Sequence, residues 1–242
     1  PDNTRSAVWL DDNRLDVVSW TDREIVATVG RNVDAGPRQL QVVAGNNQTT
    51  VNGLTIHVLR GRVGQRPAYL PNLYEVGPGK TYDPAAYPRP GLGPIQAAID
   101  DAWISGGDDL VVVYPGAVIP FTNPLGFYLE NPVIYSPIKL QGVGPGGVYT
   151  DGTGIQGTIL DGRGVGGNEV YAEWWRLNVG DIWLNRGFDG YPGWDGTPED
   201  ADGNPRIYEG PVITVFAEDE EFENGFQASI DGFKIQGGDQ QG

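Results

Sequence analysis

The chain has no cysteine and a single histidine, His57. The first absence excludes disulfides, thiolate catalysis and cysteine-based zinc or iron–sulfur centres. The second leaves little room for a Ser–His–Asp triad, which needs an imidazole base. A lone histidine on a strand reads as a surface or core-edge residue. No apolar run is long enough for a membrane-spanning helix. No basic–apolar–small leader opens the chain, which begins at Pro1. Cations are scarce too: 16 Lys and Arg stand against 32 Asp and Glu, for a net charge of −16. That balance argues against nucleic acid as a partner, because binding it depends on cationic side chains displacing counterions.

Glycine (37) and proline (19) are abundant. Together with few long 3.6-residue periodicities, they predict short strands joined by turns, an all-β chain. The acidic excess is uneven. Residues 1–60 carry seven acidic and six basic side chains, so nearly all of the surplus lies beyond them. An acidic surface suits solubility, cation binding or high salt.

Residues 15–59 alternate with period two. "RLDVVSW" and "REIVATVG" flank a Thr21-Asp22 turn, and Leu40 and Val42 share a face in "GPRQLQVVAG". Asn47-Gln48-Thr49 fits a glycosylation sequon. The run from Val17 to Val58 resembles the second half of a TIG (IPT) immunoglobulin-like domain. The resemblance rests on Trp20, the polar turn after it, Ile25 to Val29, and Gly36 followed by Leu40 and Val42. It implies that residues 1–60 are a partial immunoglobulin-like sandwich whose opening strands precede Pro1, serving as a spacer or sugar-adjacent module. Residues 61–92, rich in Pro, Gly and Tyr, are expected to form an extended connector with Tyr69, Leu70, Leu73, Tyr74 and Val76 packed down.

The pattern changes at Gly93. Pro94 suits the first position of a helix. Ile95, Ala98, Ile99 and Ala102 make one apolar stripe, and Gly106-Gly107 ends it. Leu110–Val113 reads as a strand buried on both faces. This segment, with "SPIKLQGVGPGG" and "TILDG" after it, resembles the entry to a right-handed parallel β-helix of the pectin-lyase-like superfamily. In that family a short amphipathic helix covers the first coil, whose edge and apolar end would otherwise be bare. The resemblance implies that residues 93–242 are the helix-capped first coils of such a fold. An echo, Ile138-Lys139-Leu140-Gln141-Gly142 against Phe233-Lys234-Ile235-Gln236-Gly237, predicts two strands in different coils. A further coil or a covering partner is expected beyond Gly242.

The family's enzymes carry Asp clusters with Arg or Lys on later coils. Here Pro115-Gly116 leads into "AVIPFTN", and Gly-His-Gly, Arg-x-Lys and a tight Asp triad are all missing from the sequence. "GVGPGG" (142–147) and "GRGVGG" (162–167) fit G-x-G-x-x-G, but no helical periodicity follows either, so they read as turns rather than dinucleotide sites. Two stretches remain as site candidates, both within an expected insertion at 168–206. One is aromatic: Trp174, Trp175, Trp183, Tyr191 and Trp194 would form either the insertion's own small core or a surface for sugar stacking or docking. The other is acidic: Asp195, Glu199, Asp200, Asp202 and Asn204, among glycines, offer oxygen ligands for calcium without the spacing of an EF-hand. The alternative is a solvated loop. The expected function is a secreted or cell-surface structural module for adhesion or assembly, contacting polysaccharide or other copies, with no catalytic residue in this piece. The rival is a fragment of a polysaccharide lyase or glycoside hydrolase whose active coils lie beyond Gly242.

Overall fold

The computed structural model describes residues 6–50, 53–62, 64, 67–87, 93–106, 108–162, 211–217, 225 and 227–238. The described chain is mostly β, with one α-helix and both antiparallel and parallel sheets. It divides into two compact units, Pro1–Pro71 with Val148–Ile155, and Asn72–Gly147 with Gln156–Gly242.

The first unit is antiparallel. It holds β1 (Ala7–Leu10), β2 (Asn13–Arg14), β3 (Asp16–Trp20), β4 (Ile25–Thr28), β5 (Gly36–Val43) and β6 (Leu54–Val58). One sheet runs β2-β1-β5-β6, and β3 and β4 form a separate hairpin. Val8, Leu10, Leu15, Val33 and Val58 make a small core, with Trp20, Ile25, Leu40 and Ile56 half-buried around it. The alternation read in the sequence breaks once. The β3–β4 register shifts between Val17 and Ser19, a bulge that leaves Val18 in solvent and brings Trp20 to the core side. An open apolar groove of about 640 Å³ lies along Trp20, Ile25, Leu40 and Ile56. The loop before β5 is held by Arg60, whose guanidinium donates to the carbonyls of Gly30 (3.2 Å), Arg31 (3.2 Å) and Val33 (2.8 Å). His57 has a structural partner: its Nδ1 lies 2.8 Å from the Tyr69 hydroxyl, and the two rings stack. The Asn47 sequon occupies an exposed turn.

The second unit is built from parallel pairs. It opens with β7 (Asn72–Val76), inside the expected connector, then a 3-10 turn at Pro84–Ala86 and α1 (Pro94–Ser105). Next come β8 (Asp109–Val113), β9 (Val133–Ile134), β10 (Lys139–Gly142), then β11 (Gly147–Val148) and β12 (Gly154–Ile155), a short hairpin that belongs almost wholly to the first unit, and β13 (Thr158–Asp161). β14 (Thr214–Val215), β15 (Ser229–Asp231) and β16 (Phe233–Gln236) complete it. β7, β8, β10 and β15 form one parallel stack. β13 and β16 form a second, joined by a parallel bridge from Tyr128 to Leu160. β9 and β14 form a third. From β8 onward the chain visits these stacks in one order: β8, Tyr128, β9; then β10, β13, β14; then β15, β16. Adjacent strands in one stack are therefore distant in sequence.

The core follows from this stacking. Val76, Val111, Val113, Val133, Ile134, Leu140 and Leu160 point inward and are buried. The stripe Ile95, Ala98, Ile99 and Ala102 lies fully buried on them. α1 runs between Gly93 at its N-cap and Gly106 in the left-handed conformation at its end, as Pro94 and the Gly pair predict. Thr158 is fully buried but satisfied: its hydroxyl donates to the Val113 carbonyl at 2.7 Å and accepts the Val143 N–H at 3.0 Å.

Both members of the internal echo form strands, as their sequence predicts. "IKLQG" and "FKIQG" lie in different parallel stacks. β10 pairs with β15, so Lys139-Leu140-Gln141 lie beside Ser229-Ile230-Asp231. β16 pairs with β13, so Phe233-Lys234-Ile235-Gln236 lie beside Thr158-Ile159-Leu160-Asp161. The shared feature is a Gln or Asp followed by Gly at or near the strand end. Those polar residues bond between paired strands: Gln236 Nε2 donates to Asp161 Oδ2 at 2.8 Å, and Gln141 Nε2 to the Asp231 carbonyl at 3.4 Å.

Candidate functional site

The sequence from Leu110 to Leu129 contains no charged side chain, in a chain of net charge −16. Its second half forms a closed loop. The Gly116 N–H donates to the Gly126 carbonyl at 3.0 Å. Ile119 and Asn123 exchange both backbone hydrogen bonds, at 2.9 and 2.8 Å. The Asn123 side chain then holds Phe127 through both its backbone N–H and its carbonyl, each at 2.9 Å. The Tyr128 hydroxyl donates to the Tyr114 carbonyl at 2.9 Å and ties the base to the core.

At the tip stands Phe121, fully exposed, with φ at 72°. A bulky residue in the left-handed region is strained, by roughly 1–2 kcal/mol. Val118, Ile119, Leu125 and Leu129 are exposed around it. Four apolar side chains and an aromatic ring are thus presented together on a hydrogen-bonded frame. Such a surface can insert into an apolar recess with little further loss of conformational entropy.

Two polar clusters flank the parallel stacks. In the first, Glu75 accepts from Lys80 Nζ at 2.8 Å and from the Tyr114 hydroxyl at 2.7 Å, while the Lys80 ammonium lies 4.1 Å from the Tyr114 ring centroid. The hydrogen bond from Lys80, then that from Tyr114, hold the Glu75 carboxyl below its usual range. The hydrogen bond to Glu75 holds the Lys80 ammonium above its own. The three groups satisfy one another and pin the turn after β7. Glu75 shares an in-register row with Val112, Gln141 and Asp231.

The second cluster lies under α1. Glu130 accepts the backbone N–H groups of Ile95 and Gln96. Burial pushes its carboxyl up to about 7, against the downward pull of those two bonds. Burial also raises Asp100, which accepts from Gln96 Nε2 at 2.8 Å and the Tyr135 hydroxyl at 2.7 Å. Neighbouring Tyr82 donates to Asp101 Oδ2 at 2.6 Å, and burial, then that bond, raises its hydroxyl.

The residues singled out by sequence, Trp174, Trp175, Trp183, Tyr191 and Trp194 with Asp195, Glu199, Asp200, Asp202 and Asn204, lie outside the described residues. Among the described residues no group of three or more His, Asp or Glu side chains is arranged to hold a metal ion. No described helix is long and apolar enough to cross a membrane. The "GVGPGG" segment leads from β10 into β11, with no helix after it. Phe121 and Glu130 were not singled out by sequence reasoning. The uncharged run pointed at the first. For the second, the only hint was Gly93, an N-cap residue without a side chain.

No family model, no curated protein and no solved structure matches this chain.

Proposed function

We propose that the chain is an extracellular or cell-surface structural module for adhesion or assembly. In this reading the first unit is a partial TIG-like immunoglobulin sandwich. The second is the helix-capped start of a right-handed parallel β-helix of the pectin-lyase-like kind. Two features support the architecture: the fixed order in which the chain returns to three parallel stacks, and the apolar stripe of α1 lying over their core. The observation that carries the contact role is the rigid, uncharged loop bearing Phe121. Glycan contact through Trp174, Trp175, Trp183, Tyr191 and Trp194 belongs to the same reading.

The test is binding of the intact chain to a polysaccharide and glycan array, alongside sedimentation over a range of concentrations. Binding or self-association should appear and should weaken in Trp194→Ala or Phe121→Ser. A chain that stays monomeric and binds no glycan overturns the reading. Release of unsaturated uronides or new reducing ends from a polysaccharide would favour a lyase or hydrolase instead.

A further inference from the structure

α1 starts without a cap of its own. Gly93 has no side chain to offer, and Pro94 has no N–H. The next two N–H groups, of Ile95 and Gln96, are met by Glu130 from another part of the chain, at 3.2 and 2.6 Å. A Cβ on Gly93 would overlap the Glu130 carboxyl, so the glycine is what admits it. Two further fastenings follow. The Gln96 amide behaves like a strand partner for Val133, accepting its N–H at 2.7 Å and donating to its carbonyl at 3.2 Å. The Tyr135 hydroxyl reaches Asp100. All three fastenings join α1 to one short segment, residues 130–135.

The surroundings are acidic. Asp100 on α1 acts on Glu130 through its charge. Tyr128 and Tyr135 face the cluster from the segment that carries Glu130, and Asp83 acts on Tyr128 from the preceding turn. Asp101, also on α1, holds Tyr82. Among the described residues no lysine or arginine pairs with Glu130 or Asp100.

We propose that Glu130, with Asp100 beside it, makes α1 a pH-sensitive lid over the parallel stacks, fastened most firmly in acid and loosened as the pH rises through neutrality. When protonated, Glu130 stays in its dry site without a charge to solvate. When ionised, it keeps two N–H bonds but is deprived of water and faces another carboxylate. The sign follows from the displacement of its titration from 4.5, its ordinary value, to about 7. Between those values the closed lid holds a proton that a hydrated Glu130 releases, so each step up in pH favours opening. The stabilisation is complete below about 4.5 and gone above about 7. It acts on the cap, whether or not the Phe121 loop is a contact surface.

The test is hydrogen exchange on the intact chain at pH 5 and pH 8, corrected for intrinsic rates. Protection of the Ile99–Ala102 amides should fall by roughly ten- to a hundredfold relative to Leu140 and Gly142. In Glu130→Gln the fall should largely disappear. Unchanged α1 protection in the natural chain, or the same fall in the variant, overturns the proposal. If the variant does not fold, carboxyl-carbon NMR of Glu130 in the natural chain decides. A midpoint near 7 supports the lid, and one below 5 removes it.

Discussion

Gly142 and Gly232 face each other at the ends of the paired strands β10 and β15, each so close that a Cβ on either would overlap the other's carbonyl oxygen. Gly232 also has φ at 76°, in the left-handed region. Gly144 donates to the Gly232 carbonyl at 2.8 Å, which holds the two turns together. The two strand ends can approach this closely only because neither position carries a side chain.

Gly142→Ala and Gly232→Ala should therefore each destabilise the second unit by about 3 kcal/mol. Chemical denaturation measures this as a lower midpoint. Alanine at exposed Gly154, whose Cβ would meet nothing, serves as the control and should change little. Equal effects at all three positions would show that the close contact is not what matters.

Phe121 invites the opposite prediction. Phe121→Asn removes a bulky residue from a left-handed backbone position that asparagine tolerates. It deletes no buried contact, because the ring is fully exposed. Stability should rise by about 0.5–1 kcal/mol, read from the thermal midpoint, while any binding or self-association weakens. A stable variant with undiminished binding would clear the loop of a contact role.

Arg60 makes a third case. Its fork spans the carbonyls of Gly30, Arg31 and Val33, beside the buried Val33 side chain. A lysine has one nitrogen and no planar fork, so Arg60→Lys should recover little of that geometry. Both Arg60→Lys and Arg60→Met should lower the first unit's stability by about 1–2 kcal/mol. Calorimetry on the intact chain would show this as an earlier transition. A lysine variant that melts like the natural chain would show that charge, not the fork, suffices.

If Asp195, Glu199, Asp200, Asp202 and Asn204 hold calcium, the melting temperature should rise with added calcium and fall back with a chelator, because a ligand bound only by the folded state stabilises it. Asp200→Asn should blunt the response. No shift in either direction would leave these residues as a solvated loop.

Much of the local structure was legible in the sequence. Pro94, the i, i+3, i+4, i+7 stripe and Gly106 mark α1 at both ends, since these signals act within a few residues. The unbroken Leu110–Val113 run marks β8, whose residues are buried except half-exposed Val112. The predominance of strand followed from the same period-two runs and turns. The bulge at Val17–Ser19 was not legible, because the residue types there fit an unbroken alternation as well.

The sequence by itself determined α1, the Leu110–Val113 strand, the charge balance and, through missing cysteine, the exclusion of disulfides. Tertiary structure alone decided which strand lies beside which. Parallel partners such as Lys139 and Ser229 are joined by no turn, and their register comes from packing between strands distant in sequence. That is why "IKLQG" found its neighbour in "SIDG" and not in its look-alike "FKIQG". It is also why Glu130, an unremarkable acid in the sequence, became the cap of a helix at Gln96, thirty-four residues before it. Burial against that helix, not residue type, sets the state of its carboxyl near neutrality.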